Sequence, residues 1–368
     1  MKEAKNDLLN KTLVIFCPTK NWGGIEKNVK LRAEYFGENG YTVYVILLKS
    51  LFKERFDELE NVHVKSITKR GGDLNLQVIL NYYKFLSKVK PNVVFAPLKR
   101  DWWLVSAAAS LAKVPNILLY LGNKRKIRRG LKYRFVFKNL GAKVLVNSNS
   151  LKKHLLETTD FFNDKNLFRI YNGIELPNIE GEKRNYIEEL ELDNDTYLVG
   201  CAGWLNLRKG FDLLPEIIRQ LPKNIHFIHV GSGGFELDIK KLLEDNGDVK
   251  DRIHFMGYES NMEAFYRGID LFLLCSRSEG MANVLNEALG HGKPIVSAKV
   301  SGSVEILENG AYGILTEIED TNAMAKGIKN IAEGNVSFDP EKQRDRMRGE
   351  FSLNHMMKRY EAVFFPEK

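Results

Sequence analysis

Cysteine is scarce: Cys17, Cys201 and Cys275 are the only three in 368 residues, far apart and each in or beside an apolar run. That excludes a disulfide framework and any zinc spacing, and suits buried free thiols in a reducing cytoplasm. No apolar run approaches the roughly 20 residues needed to span a bilayer. The start, Met1 to Lys11, is polar and charged and shows no secretory leader. No Gly-x-Gly-x-x-Gly fingerprint occurs, and no Asp-x-Asp stands in a loop suited to a metal, so no metal and no cofactor is expected. From Trp102 to Leu156 there is no acidic residue, while twelve Lys or Arg fall in that span. The whole chain carries +8, so the remainder nets −4. One basic region on an otherwise mildly acidic chain implies an anionic partner: a membrane surface, a phosphorylated lipid or nucleic acid.

What is present is an ordinary soluble composition, 44% hydrophobic and 28% charged, at a length that suggests two domains. Short apolar runs alternate with helical spacing. Strands are read at Thr12 to Cys17, Val43 to Leu48, Val93 to Ala96, Ile117 to Tyr120 and Lys143 to Val146. Helices are read at Glu26 to Phe36, Leu74 to Val89, Leu104 to Ala112 and Lys132 to Leu140. Pro177 to Asp195 is polar and reads as linker and surface helix. The alternation restarts at Tyr197 to Ala202 and continues through Ile225 to Val230, Ile253 to Met256, Leu271 to Leu274 and Ile295 to Ala298. Such alternation predicts an α/β architecture of two doubly wound parallel sheets. Ligands of these sheets bind at the carboxyl ends of the strands. The loops after Cys17, Ala96, Tyr120 and Val146 are therefore of interest.

The richest stretch runs from Cys275 to Leu289. Strand 271 to 274 leads into a polar turn and then a helix with Val284, Leu285 and Ala288 on one face. The N–H groups of Gly280, Met281, Ala282 and Asn283 open that helix, where the dipole favours an anion. Glu279 at the turn and Glu287 two helical turns on can accept from sugar hydroxyls. A ligand with hydroxyls at both ends and phosphate between them is a nucleotide sugar. Upstream, Gly203 to Phe211 places Arg208 and Lys209 before another helix, a cation pair suited to a diphosphate. Gly23 and Gly24 follow the first strand and allow close approach of a ligand. Tyr258 follows the glycine after strand 253 to 256.

Glu279 and Glu287, with seven residues between them, resemble the C-terminal signature of the large group 1 family of retaining GT-B glycosyltransferases, which includes sucrose synthases and many bacterial lipopolysaccharide and capsule transferases. Arg208-Lys209-Gly210, Asn172-Gly173-Ile174, Gly257-Tyr258 and Gly302 to Ile306 match further segments of that family in order. The resemblance is dense from Val199 to Leu315 and looser before Val146. It implies a GT-B fold with the two sheets facing a cleft. Residues 1–174 would form the acceptor-side domain and 175–350 the nucleotide-sugar domain, with a terminal helix, 351–368, crossing back to the first. It implies transfer of a sugar from a nucleotide-diphosphate donor, UDP-sugar favoured, to a glycan or phosphorylated lipid, with retention of configuration, in cell-surface polysaccharide or lipopolysaccharide synthesis. Glu279 would hold the donor sugar and Glu287 the ribose, while Arg208 and Lys209 would stabilise the diphosphate.

Two positions depart from the family. Gly122-Asn123 stands where many relatives have a histidine, which leaves an acid or base unassigned. Trp204 stands where an arginine is usual, and Arg208 is the candidate replacement. Lys99, Arg100, Trp102, Lys124, Arg125 and Lys126 are the candidates for the acceptor or an anionic membrane, which would put the protein at the inner face of the cell membrane. A sugar-nucleotide epimerase, which would need no acceptor, shares the architecture. A non-catalytic lipid-binding relative would bind without turnover. Nucleic acid leaves the glutamate motif unexplained.

Overall fold

A computed structural model describes residues 11–68, 75–123, 127, 130–233 and 241–366. The chain forms two compact units. The first is Met1–Ile170 with Met357–Lys368, and the second is Tyr171–Met356.

In the first unit a seven-stranded sheet is built from β1 (Thr12–Phe16), β2 (Thr42–Leu48), β3 (Val62–Ile67), β4 (Val93–Ala96), β5 (Asn116–Leu121), β6 (Lys143–Val146) and β7 (Leu167–Arg169). The order is β3-β2-β1-β4-β5-β6-β7, and all pairs are parallel. The central strands are near-continuous apolar runs because helices cover both faces. Those helices are α1 (Gly24–Glu38), α2 (Leu76–Val89), α3 (Trp102–Leu111), α4 (Leu131–Lys138) and α5 (Asn149–Thr158). Strand β3 is not visible as an apolar run in the sequence. It is an edge strand with alternating half-exposed and exposed residues, so its pattern, Val-His-Val-Lys-Ser-Ile, is only half apolar.

The second unit has a six-stranded parallel sheet of β8 (Tyr197–Ala202), β9 (Ile225–Val230), β10 (Ile253–Phe255), β11 (Leu271–Leu274), β12 (Ile295–Ala298) and β13 (Ile314–Thr316), ordered β10-β9-β8-β11-β12-β13. Its helices include α6 (Tyr186–Glu189), α7 (Leu214–Arg219), α8 (Met262–Gly268), α9 (Asn283–Gly290), α10 (Ser301–Ile306), α11 (Thr321–Ala332) and α12 (Pro340–Glu350). The polar stretch 177–195 is strapped onto α8. Arg267 donates from Nη1 to Asn178 O at 2.5 Å and from Nε to Glu182 O at 3.0 Å. Arg184 N donates to Ala264 O at 3.2 Å, and a Cβ at Gly268 would stand 2.5 Å from Arg184 O, so only glycine admits this approach.

Tyr171–Ile174 belong with the second unit. Ile174 N donates to Phe351 O at 2.9 Å, and the Tyr171 ring stands 5.1 Å from that of Phe351. Helix α13 (Leu353–Phe364) then carries the chain back into the first unit. There Phe364 stacks on Phe36 at 5.4 Å, and Asn116 Nδ2 donates to the carbonyls of Val363 and Phe364 at 2.8 and 3.0 Å. Arg32, 3% exposed, donates to Tyr360 Oη at 2.5 Å, with its guanidinium 4.2 Å from that ring. No helix among the described residues is long and apolar enough to cross a membrane.

Candidate functional site

The strand order of the second unit reverses between β8 and β11, which are hydrogen-bonded neighbours. Connections on the two sides of such a switch point leave in opposite directions and open a crevice at the carboxyl ends of the strands. The loop after β8 is 203–213, and the loop after β11 is 275–282. These two loops hold Arg208, Lys209 and Glu279.

The first loop is shaped by its glycines. Gly203 has φ +142° and Gly210 φ +74°, conformations that side-chain-bearing residues rarely adopt. A Cβ at Gly210 would lie 2.1 Å from Cys275 O, so the two loops touch backbone to backbone there. Between them a 3-10 turn, Leu207–Lys209, is capped by Asn206, whose Oδ1 accepts from Lys209 N at 3.1 Å. The turn fixes the directions of two consecutive cations.

Arg277 fastens this loop to the second. Its two terminal nitrogens donate to both Asp212 carboxylate oxygens at 2.6 and 2.7 Å, and Nη1 also reaches Leu207 O at 2.5 Å. Nε donates to Glu319 at 2.5 Å, and the backbone N–H of Arg277 donates to Arg208 O at 2.9 Å. A planar guanidinium suits this bidentate grip, and its hydrogen bonds to Asp212 raise its pKa above the ordinary arginine value. Neither Arg277 nor Asp212 was singled out from the sequence. The only signal available was that both sit inside the two loop motifs.

The clamp brings the three polar groups together. Lys209 Nζ lies 2.7 Å from Glu279 Oε1, and Arg208 Nη1 lies 3.0 Å from Glu279 Oε2. Arg208 Nη1 also donates to Ser278 O at 2.8 Å, and Ser276 Oγ to Glu279 Oε1 at 3.3 Å. The side chains of Lys209 and Glu279 are only 12% and 10% exposed, whereas Arg208 is 51% exposed.

Helix α9 starts beside this cluster. Its N-cap, Ala282, makes no side-chain capping bond. Gly280, Met281 and Ala282 are buried, and Asn283 and Val284 are half-buried. The start of α10 presses against this turn: a Cβ at Gly302 would stand 2.6 Å from Gly280 O. Asn283 Oδ1 accepts from Asn172 Nδ2 at 3.3 Å, which ties the helix start to the Asn-Gly-Ile segment. Further along α9, Glu287 accepts from Tyr266 Oη at 2.8 Å. Tyr266 stacks on His291 with centroids 5.0 Å apart, and burial, followed by the Glu287 charge, raises its pKa. Tyr266 is a positioning group that sequence reading did not identify. Glycines also crowd the strand ends nearby: Gly231 N donates to Gly257 O at 2.6 Å, and a Cβ at Gly231 would fall 2.2 Å from Gly203 O. Tyr258 is 78% exposed and Trp204 67% exposed, so neither is packed into the core.

In the first unit, Gly23 N donates to Glu26 Oε2 at 3.1 Å, which caps α1, and a Cβ at Gly24 would meet open space. The order of this sheet reverses between β1 and β4. Arg100, after β4, donates to Pro18 O, after β1, at 3.0 Å. Lys99 Nζ stands 5.5 Å over the Tyr133 ring. Trp102 corrects the expectation of a surface tryptophan. It is fully buried, edge-on to Tyr133 and Phe137, because it is the first residue of α3 and points into the sheet-facing core. Lys124, Arg125 and Lys126 lie outside the described residues.

Residues 196–333 match the family model described as glycosyl transferases group 1. A lipopolysaccharide core biosynthesis glycosyltransferase, LpsE of Rhizobium meliloti (strain 1021), is 29% identical over 147 residues, 40% of this chain and 43% of that protein. The O-antigen biosynthesis glycosyltransferase WclY of Escherichia coli is likewise matched over 39% of its length, so the chain spans about two fifths of these curated relatives. Two solved structures share the fold over nearly the whole chain. A glycosyltransferase from Rickettsia africae ESF-5 gives a TM-score of 0.82 at 20% identity, covering 97% of this chain and 100% of that one. HepE of Anabaena, solved with UDP and glucose, gives 0.74 at 19% identity, covering 96% and 99%. Residues 196–333, which hold the Arg208–Lys209–Glu279 cluster, match the group 1 glycosyltransferase model, and the two parallel-sheet units share the GT-B fold of the solved glycosyltransferases.

Proposed function

We propose that the chain transfers a sugar from a nucleotide-diphosphate donor to a glycan or phosphorylated-lipid acceptor, with retention at the anomeric carbon, in bacterial cell-surface polysaccharide synthesis. The observation that carries this reading is the convergence of Lys209, Arg208 and Glu279 at the switch point of the second sheet. Breaking the bond between the anomeric carbon and the diphosphate sends the electron pair to the departing oxygen. The sugar becomes oxocarbenium-like while negative charge grows on the phosphate. Lys209, Arg208 and the N–H groups at the start of α9 are fixed donors for that charge and need no reorganisation during the reaction. In this reading the two cations stand in for a metal. Glu279 orients the sugar hydroxyls, and Glu287, held by Tyr266, takes the ribose.

A UDP donor is favoured because HepE, of the same fold, is solved with UDP and with UDP-glucose. The acceptor reading rests on the basic span 102–156. Helix α4 within it exposes Leu131 at 87% and Phe135 at 45% beside Lys132 and Arg134, a pattern that suits an anionic membrane. The test is sugar-nucleotide turnover by the full chain, with a bacterial glycolipid extract as acceptor. Donor consumption that depends on the extract supports transfer. Donor conversion to an isomer without it supports the epimerase instead.

A further inference from the structure

The two cations assigned to the diphosphate already share a carboxylate. One carboxylate oxygen of Glu279 lies 2.7 Å from Lys209 Nζ and the other 3.0 Å from Arg208 Nη1, an ion pair with each. Arg208 Nη1 also donates to Ser278 O at 2.8 Å. A diphosphate held by these cations competes with Glu279 for their donors. It also meets the charge of Glu279 itself, which at 10% exposure is weakly screened by water.

The attached sugar changes the balance. Its hydroxyls are donors, and Glu279 can exchange its ion pairs with the cations for sugar hydrogen bonds while the cations turn to phosphate. A nucleoside diphosphate without the sugar offers no such exchange: it takes the cations and leaves a nearly buried carboxylate with a weak Ser276 contact at 3.3 Å. Resting on the donor reading above, we infer that Glu279 is a specificity-determining residue that discriminates nucleotide sugar from nucleoside diphosphate. Once the sugar has left, Glu279 returns to Lys209 and Arg208 and expels the product. The carboxylate thus alternates between two sets of donors, and the sugar decides which.

The consequence runs against the usual effect of removing a ligand contact. In Glu279→Gln the amide cannot neutralise the cations or repel phosphate. Calorimetric titration of the full chain with UDP and UDP-glucose, GDP and GDP-mannose, and ADP and ADP-glucose reads this directly. The nucleoside diphosphate bound by the wild type should bind the variant about tenfold tighter, the worth of one charge-assisted hydrogen bond. The preference for the sugar-bearing partner should shrink or reverse. Glu279→Ala, carried alongside with its melting temperature, should tighten the diphosphate in the same direction. Equal or weaker diphosphate binding by both variants, with wild-type binding intact, overturns this inference and leaves the donor site standing. No binding of any of the six by wild type or variants overturns both.

Discussion

Lys209 Nζ and Glu279 Oε1 stand 2.7 Å apart, one on the loop after β8 and one on the loop after β11, both largely out of water. Such a pair contributes little net stability, because desolvating two charges offsets most of their attraction. Its value is in placing an ammonium at the crevice of the sheet. Lys209→Ala should lower kcat/KM for transfer by about 100-fold, the scale of removing one preorganised donor from developing charge. Steady-state kinetics with varied donor measures it. A variant within threefold of wild type would remove Lys209 from the reaction.

Arg277 reaches Asp212, Glu319 and Leu207 O at once, and these contacts hold the turn that bears both cations. Arg277→Lys keeps the charge and loses the fork, so the turn should loosen. We expect a rise in donor KM and a fall in kcat together, about tenfold in kcat/KM. Asp212→Asn should give a milder form of the same phenotype, and the double variant should be no worse than Arg277→Lys alone, which already loses the bidentate Asp212 grip. Additive losses would show that the two residues act separately.

The parallel strands of the second unit were legible because each is an apolar run buried on both faces. Tyr197–Ala202, Ile225–Val230, Leu271–Leu274 and Ile295–Ala298 have the bounds read from sequence. The edge strands β3 and β13 were not, since both are partly exposed and have no reason to be uniformly apolar. Arg208, Lys209 and Glu279 were read as one site from motif order alone, and the geometry gathers them. Arg277 and Tyr266 were missed because their partners, Asp212, Glu319 and Glu287, are distant in sequence, and spacing carries no signal of such contacts. Trp102 was misplaced for the opposite reason. A tryptophan among cations looks superficial until the helix is rotated onto its sheet, which buries it.

Gly210 is required by both backbone and space, with φ +74° and an added Cβ only 2.1 Å from Cys275 O. Gly210→Ala should cost about 2–4 kcal/mol of stability, since neither strand-end backbone can retreat freely. Urea unfolding followed by far-UV circular dichroism reads the midpoint. An unchanged midpoint would mean the two loops are not held in contact.

His226 and His254 lie on neighbouring strands with ring nitrogens 3.1 Å apart. Burial, followed by the charge of His226, holds His254 down to about 4, and burial lowers His226 as well. Asp193 and Asp251 oppose these shifts and Arg252 reinforces that on His226. The folded state therefore binds fewer protons than the unfolded one. Stability is full above the ordinary value of 6.5 and is lost as pH falls towards about 4. His254→Gln should flatten the stability profile between those limits, and a variant that loses as much as wild type would show that the pair is not responsible.

The most direct test of a donor site in the second unit is thermal melting of the full chain with UDP-, GDP-, ADP- and CMP-sugars, repeated with Lys209→Ala. A ligand that binds only the folded state raises the melting temperature in proportion to its occupancy. One base family is expected to raise it for the wild type, with the shift strongly reduced in the variant. A shift from none of them, or one that Lys209→Ala leaves unchanged, would contradict a diphosphate site at Lys209.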